Sequence, residues 1–132
     1  MLHASQIVQQ WEAMSLERLR AAKALLDAGF YRDSISRSYY AAYCAATSWV
    51  IGRGNTFAGG RNNPSHEQLP ELLANTLGLE LSDRRKAKRL LRNLRRARED
   101  AEYRPHAFVD RVTAQDAIYS ATALLEILEM QE

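Results

Sequence analysis

The sequence has few of the residues that build disulfides, metal centres and phosphate loops. Its 132 residues include one cysteine, Cys44, which excludes an intramolecular disulfide and a cysteine-based zinc site. The three histidines, His3, His66 and His106, follow neither the HxxxH nor the HExxH spacing, so we expect no metal and no cofactor. The sequence also lacks the GxGxxG and GxxxxGKS/T motifs and a serine nucleophile elbow, which argues against the common phosphate-loop and hydrolase classes.

Long apolar runs are also absent. The N-terminal segment MLHASQIVQQWEAM has neither the basic region nor the apolar core of a signal peptide. The longest stretch without a charge, Ser38–Gly52, contains three tyrosines and is shorter than the roughly 20 residues of a membrane-spanning helix. We therefore expect a cytoplasmic protein that does not enter a membrane.

Composition and periodicity predict an all-α fold. Hydrophobic residues make up 46% and charged residues 26% of the chain, as in globular proteins, so residues 1–132 are expected to form one domain. The apolar residues recur at helical spacing, and no run alternates apolar and polar residues. Four long helices and one short one indicate an antiparallel up-and-down four-helix bundle with an additional short helix. The predicted helices span Ser5–Ala28, Tyr31–Ile51, His66–Leu77, Ser82–Tyr103 and Thr113–Met130.

Local signals predict where these helices begin and end. Gly29 is placed to follow the first helix in a left-handed conformation, and Ser82 to cap the fourth. Thr113 and Asp116 have the spacing of a capping box at the start of the last helix.

The second predicted helix is apolar around much of its circumference. We expect such a helix at the centre of a bundle or in an interface between subunits. The sequence thus predicts a two-fold homodimer that buries part of Tyr40, Tyr43 and Trp49.

Positive charge is concentrated in the fourth helix. Residues 84–98 contain nine of the 18 Lys and Arg residues and no acid, whereas the rest of the chain carries nine basic and 16 acidic residues. Each pair of like charges three or four residues apart destabilises a helix by roughly 0.2–0.5 kcal/mol. A bound polyanion would relieve this repulsion. We predict that this face binds RNA, with an acidic protein partner as an alternative. The residues on one side of the helix, which we call the basic face, are Arg85, Lys88, Arg89, Arg92, Arg95 and Arg96.

Arg98 lies on the apolar side of the same helix, between Leu94 and Ala101. A buried Arg requires a partner, which is either a carboxylate such as Glu102 in an internal ion pair or a phosphate bound in a cleft. His106 follows in the loop YRPH. A His and an Arg together can cleave RNA without a metal, because the base takes the 2′-hydroxyl proton and the cation stabilises the charged phosphate. Arg98 and His106 are therefore the candidate catalytic pair.

Several short motifs resemble the signature of HEPN domains. In that family a helix ending in LLxxGxY precedes a helix with an Arg and a YYAxY-type run, followed by a His after a loop and an RxxA(D/E)Y segment. The resemblance covers residues 15–128. The matching residues are Leu25, Leu26, Gly29, Tyr31, Arg37, Tyr39, Tyr40, Ala41, Tyr43, His66, Arg98, Ala101, Glu102 and Tyr103.

The resemblance implies a prokaryotic helical bundle, often a homodimer, that is commonly paired with a small nucleotidyltransferase in a toxin–antitoxin system. Many members are metal-independent endoribonucleases with an Arg-x(4–6)-His pair. Here seven residues separate Arg98 from His106, and Phe108 stands where antitoxin-modified members carry Tyr. The segment Arg98–Tyr103 resembles the branch that mostly lacks the nuclease motif.

The resemblance also places the functional Arg of the family at this end of the helix, so we favour the cleft for Arg98. Other residues expected in the cleft, in a binding or structural role, are Arg37, Tyr40, Glu102, Tyr103 and His66. We predict a HEPN-like protein that binds RNA or nucleotide and pairs with a nucleotidyltransferase, without efficient catalysis. The alternatives are an endoribonuclease toxin that uses Arg98 and His106, and an interaction module whose basic helix binds an acidic protein.

Overall fold

The computed structural model describes residues 4–130, and all regular secondary structure in that range is helical. The all-α prediction is confirmed, and His3 lies outside the described residues. The elements in chain order are α1 (Ala4–Asp27), α2 (Tyr31–Gly52), a 3-10 turn (Ala58–Gly60), α3 (Leu69–Asn75), α4 (Leu81–Tyr103) and α5 (Arg111–Ile127).

The first two helices, α1 and α2, form a closely packed antiparallel pair. The turn between them contains Gly29 at a φ of +85°, a left-handed conformation that favours glycine, as the sequence predicts. Buried hydroxyls connect the helices: Ser15 donates to the carbonyl of Ala41 at 2.7 Å, and Ser34 donates to that of Ala22 at 2.7 Å. These bonds satisfy the serine hydroxyls away from water, so the two backbones can approach closely.

Helix α2 lies at the centre of the bundle, because α1, α3, α4 and α5 all pack against it. Every residue from Ala41 to Val50 is buried. The prediction that this helix is covered on several sides is therefore confirmed, but the neighbouring helices belong to the same chain. Tyr43 is 5% exposed, Trp49 is 7% exposed and Tyr40 is partly buried within one protomer. These side chains consequently give no support for a homodimer.

Helices α4 and α5 complete the bundle, and α3 is the additional short helix. Helix α4 packs against α2, α3 and α5, whereas α1 contacts α2 and α5 and not α4. The apolar stripe predicted for α4 faces inward, with Ala87, Leu91, Leu94 and Ala101 all buried. The opposite side of α4 is therefore turned to solvent.

The short helix and the start of α4 differ from the prediction. Helix α3 begins at Leu69 rather than His66, and Pro70 lies in its first turn, where its missing N–H is tolerated. The residue that precedes α4 is Glu80, in an extended conformation, so Ser82 lies inside the first turn. The prediction of Ser82 as the N-cap is wrong, because the helix begins one residue earlier.

The capping box of α5 also lies earlier than predicted. The carboxylate of Asp110 accepts a hydrogen bond from the backbone N–H of Thr113 at 2.9 Å, while the Asp110 N–H donates to the Thr113 hydroxyl at 3.0 Å. Asp110 is the N-cap and Thr113 the third helical residue, so the predicted pairing of Thr113 with Asp116 is wrong. An extended Asp one turn upstream caps the helix, which lets α5 begin at Arg111.

Candidate nucleic-acid interface

Four arginines form a single row along the outer side of α4. Arg85, Arg89, Arg92 and Arg96 are exposed, and their spacing of four, three and four residues keeps them on one side of the helix. At about 1.5 Å per residue the row extends over roughly 16 Å. We call these four residues the outer row. The other two members of the basic face, Lys88 and Arg95, are partly buried at its edge.

An acidic residue from α3 reaches the basic face, although the segment 84–98 has no acid of its own. One oxygen of Glu71, Oε1, lies 2.8 Å from the ammonium of Lys88 and 2.9 Å from the guanidinium of Arg92. The hydrogen bond from Lys88 holds the pKa of Glu71 below its usual value. Two of the six predicted RNA-binding cations, Lys88 and Arg92, therefore share Glu71 as a carboxylate partner in the free protein.

The remaining cations of the basic face differ in their partners. Arg95 lies 3.3 Å from Glu99, one turn further along α4. Arg96 donates a hydrogen bond to the neutral side chain of Asn93 at 3.3 Å. Within residues 4–130, Arg85 and Arg89 have neither an ion pair nor a side-chain hydrogen bond. The outer row thus contains three guanidinium groups that no carboxylate neutralises.

Arg98 points into the protein and is 9% exposed, as its place in the apolar stripe predicts. Its Nη1 donates to Glu102 at 3.0 Å and to the hydroxyl of Tyr40 at 3.3 Å. The guanidinium carbon lies 5.1 Å from the ring centre of Tyr39 and 5.7 Å from that of Tyr40, which is cation–π range. The internal ion pair with Glu102 is therefore present, and Arg98 Nε is buried without a hydrogen-bond partner.

His66 lies among the tyrosines of α2. Its Nδ1 is hydrogen-bonded to the hydroxyl of Tyr39, and the His66 and Tyr43 ring centres are 4.6 Å apart. Burial lowers the pKa of His66, and the nearby Arg98 and Arg95 lower it further. Burial raises the pKa of Tyr39, so its hydroxyl stays protonated. His66 is thus a hydrogen-bonded member of an aromatic cluster behind Arg98.

A cleft of about 410 Å³ opens beside this cluster, between α1, α2 and α4. Three of the predicted cleft residues, Arg37, Tyr40 and Glu102, line it together with Asp33, Ser36 and Leu25. Arg98 is behind the wall formed by Tyr40 and Glu102 and is not part of the lining. Because Asp33 and Glu102 line this space together with Arg37, the cleft has mixed charge and is less suited to a phosphate than the outer row is.

His106 and Tyr103 are exposed at the end of the bundle where α4 finishes. Within the described chain no hydrogen bond joins His106 to Arg98, so the proposed catalytic pair stays a prediction. The loop that contains His106 is held by Arg32 of α2, whose guanidinium donates to five backbone carbonyls, among them those of Arg104 and Ala107. Among the acceptors, the carbonyl of Ala101 lies in the last turn of α4, where helical partners run out, and those of Arg104, Pro105 and Ala107 lie in the loop.

Sequence reasoning missed two residues that shape the site, Glu71 and Arg32. Helical periodicity places each of them on its own helix but does not show which other helix it faces. A usable signal for Glu71 was that it is the only acid in α3, the short helix that precedes the basic segment.

The described part of the chain contains no group of three or more His, Cys, Asp and Glu side chains arranged to hold a metal ion. Among the helices of residues 4–130, none has the length and apolar character needed to cross a membrane.

Comparison with known proteins identifies the family. No curated protein matches the chain. The family model for the HEPN domain matches residues 8–131, which includes every helix from the second turn of α1 to the end of α5. With nearly the whole chain matched, the protein belongs to the HEPN domain family.

Proposed function

We propose that this protein binds RNA through the outer row of α4 and does so without efficient catalysis. The observation that carries the proposal is the exposed line of four arginines, three of which have no carboxylate partner. In the free protein these charges repel one another along the helix. Phosphates of a bound strand would neutralise them and release counterions, which is the main source of sequence-independent affinity for nucleic acids.

The character of the surface favours a nucleic acid over an acidic protein. Protein interfaces contain an apolar, charge-depleted centre. Between Ser82 and Glu102, α4 exposes no large apolar side chain. A surface made of guanidinium groups around a single amide, Asn93, offers phosphate contacts and no apolar anchor for a protein partner.

The test is RNA binding by a charge-reversal variant of the row. Arg89→Glu combined with Arg96→Glu should weaken binding of a labelled single-stranded RNA by about tenfold or more, because two phosphate contacts are lost and two repulsions are added. The matched control is Arg20→Glu combined with Arg111→Glu, which makes the same charge change at exposed positions outside α4. Fluorescence anisotropy over a salt series measures both.

Equal losses in the two double variants would show that net charge alone determines the affinity. No binding by the parent protein at low salt would overturn the RNA proposal and favour the acidic protein partner.

The absence of efficient catalysis is tested separately. Arg98 already uses Nη1 in its contacts with Glu102 and Tyr40, so it has no free donor on that nitrogen for a phosphate. We expect the purified protein to leave RNA intact in the presence of EDTA. Cleavage under these conditions that is lost in His106→Ala would instead establish the endoribonuclease alternative.

Pairing with a nucleotidyltransferase in a toxin–antitoxin system, in the cytoplasm, is part of the proposal and is supported by family membership alone. A nucleotidyltransferase reading frame beside this gene, and co-purification of the two products, are the expected results. The absence of both would remove the partner from the proposal.

We also propose a homodimer, which forms through a surface other than the Tyr40, Tyr43 and Trp49 side chains of α2. Four large apolar side chains are exposed towards the end of the bundle where Arg32 holds the loop after α4: Phe30, Tyr103, Phe108 and Val112. Burial of this end against a second copy would remove them from water. Sedimentation at micromolar concentration should show a dimer, and Phe108→Asp should shift it to the monomer.

A further inference from the structure

The carboxylate of Glu71 occupies the middle of the RNA-binding face. Its Oε1 is shared by Lys88 and Arg92, at 2.8 Å and 2.9 Å, and these two residues lie one turn apart on α4. A phosphate oxygen binds the same donors with the same geometry, because both groups are oxyanions that accept charge-assisted hydrogen bonds. Glu71 and an RNA phosphate are therefore competitors for one pair of cations.

The position of Glu71 is fixed by the fold, whereas its side chain is exposed and has room to rotate. Helix α3 is anchored by Leu69 and Leu73, both fully buried. A second contact fixes its far end, where Arg84 of α4 donates to the carbonyl of Ala74 at 3.3 Å. Glu71 itself is exposed, so its carboxylate can rotate into water without moving α3.

We propose that Glu71 is a built-in competitor for RNA, an internal anion that occupies Lys88 and Arg92 until a phosphate displaces it. This inference rests on the proposed RNA-binding function of the outer row and adds a regulatory residue to it. Among the six residues of the basic face, all within the described chain, Arg85, Arg89 and Arg96 are the ones that a phosphate can reach without displacing a carboxylate. Binding of a strand along the whole row requires that Glu71 release its two partners.

The competition lowers the affinity for a strand but not for a ligand with a single phosphate, so it reduces the gain in affinity with ligand length. A ligand with a single phosphate can use the unpaired guanidinium groups and leaves Glu71 in place. A strand that follows the row crosses Arg92, which lies between Arg89 and Arg96, and must displace the carboxylate.

The decisive variant is Glu71→Gln, which removes the negative charge and retains the shape of the side chain. Its matched control is Glu67→Gln, an exposed acid four residues earlier with the same change in net charge. We expect Glu71→Gln to bind labelled single-stranded RNA roughly threefold to tenfold more tightly than the parent, in line with two exposed ion pairs. Glu67→Gln should stay close to the parent.

The salt dependence provides a second readout. Because the strand displaces Glu71 in the parent and contacts the same number of phosphates in both proteins, Glu71→Gln should raise the affinity at each salt concentration while the slope of the logarithm of the affinity against the logarithm of the salt concentration stays close to that of the parent. Circular dichroism of each variant verifies that the fold is retained. In a background of Lys88→Gln and Arg92→Gln, Glu71→Gln should no longer increase affinity, because the cations it occupies are gone.

The possible results of these binding experiments distinguish the competitor role of Glu71 from RNA binding by the outer row. RNA binding by the parent, with equal gains for Glu71→Gln and Glu67→Gln, would reject the competitor role and leave RNA binding intact. A gain that persists in the background without Lys88 and Arg92 would also reject it. If neither the parent nor any variant binds RNA at low salt, the RNA-binding function itself fails.

Discussion

Replacement of Arg98 distinguishes a structural arginine from a ligand-binding one. Arg98→Ala removes the ion pair with Glu102, the cation–π contacts with Tyr39 and Tyr40, and the packing of the aliphatic stem. Arg98→Met retains much of the packing of the stem and removes the charge together with the Nε that has no hydrogen-bond partner. The two variants therefore divide the contribution of this side chain into its packing and its charge.

The expected loss in the free energy of unfolding depends on how far Arg98 and Glu102 are exposed to solvent. The side chains of Arg98 and Glu102 are 11% and 28% exposed, so the ion pair lies between the surface case, at most about 1 kcal/mol, and the buried case, about 3–5 kcal/mol. Because Glu102 can rehydrate when its partner is removed, we take about 1 kcal/mol for the pair. Cation–π contacts add about 1 kcal/mol, and loss of the packed stem about another 1 kcal/mol. Arg98→Ala should then lower the free energy of unfolding by about 3 kcal/mol, and Arg98→Met by about 2 kcal/mol, because methionine retains the packing of the stem.

Urea denaturation followed by circular dichroism measures these changes, and a thermal melt should show a decrease of roughly 10 °C for Arg98→Ala. RNA affinity of the folded variants should remain close to that of the parent, since Arg98 is not part of the outer row. A variant that keeps its stability and loses RNA binding would contradict this reasoning and assign Arg98 to a phosphate site. Equal losses of stability in both variants would show that the charge, rather than the stem, carries the whole effect.

Two further predictions concern buried titratable groups. Because the pKa of His66 is lowered in the folded protein, the unfolded chain takes up a proton first as the pH falls. The contribution of His66 to stability should therefore be complete above about pH 6.5 and decrease below it. His66→Gln should flatten the pH dependence of the melting temperature in this range relative to the parent. An unchanged profile would mean that the hydrogen bond to Tyr39 tolerates protonation. Burial raises the pKa of Cys44 to about 11 and leaves its side chain inaccessible. An aromatic disulfide reagent should therefore label the thiol only when the protein is unfolded in urea. Rapid labelling of the native protein would contradict the burial.

The sequence by itself determined the helices and the character of each helix surface. Helical periodicity is a property of neighbouring residues, so it correctly predicted that Arg98 faces inward, while Arg85, Arg89, Arg92 and Arg96 face solvent. Gly29 was identified for the same kind of reason, because a left-handed residue after a helix is a local requirement.

Helix ends were less well determined by the sequence. Asp110 and Thr113 are both residue types that cap helices. Only the backbone that connects α4 to α5 shows that Asp110 is the N-cap and Thr113 the third helical residue. That segment is held by Arg32, a residue far away in the sequence, so no local pattern contains the information that fixes it.

Only the tertiary structure decided which helices face one another, and this changed the interpretation of two surfaces. The apolar circumference of α2 could be covered by helices of the same chain or by a second protomer, and the fold covers it with its own helices. The basic face appeared free of acids in the sequence, yet α3 brings Glu71 into contact with Lys88 and Arg92. The physical reason is that a residue pattern fixes which side of a helix is apolar or charged, whereas the neighbour of that side depends on how all the helices pack around a common core.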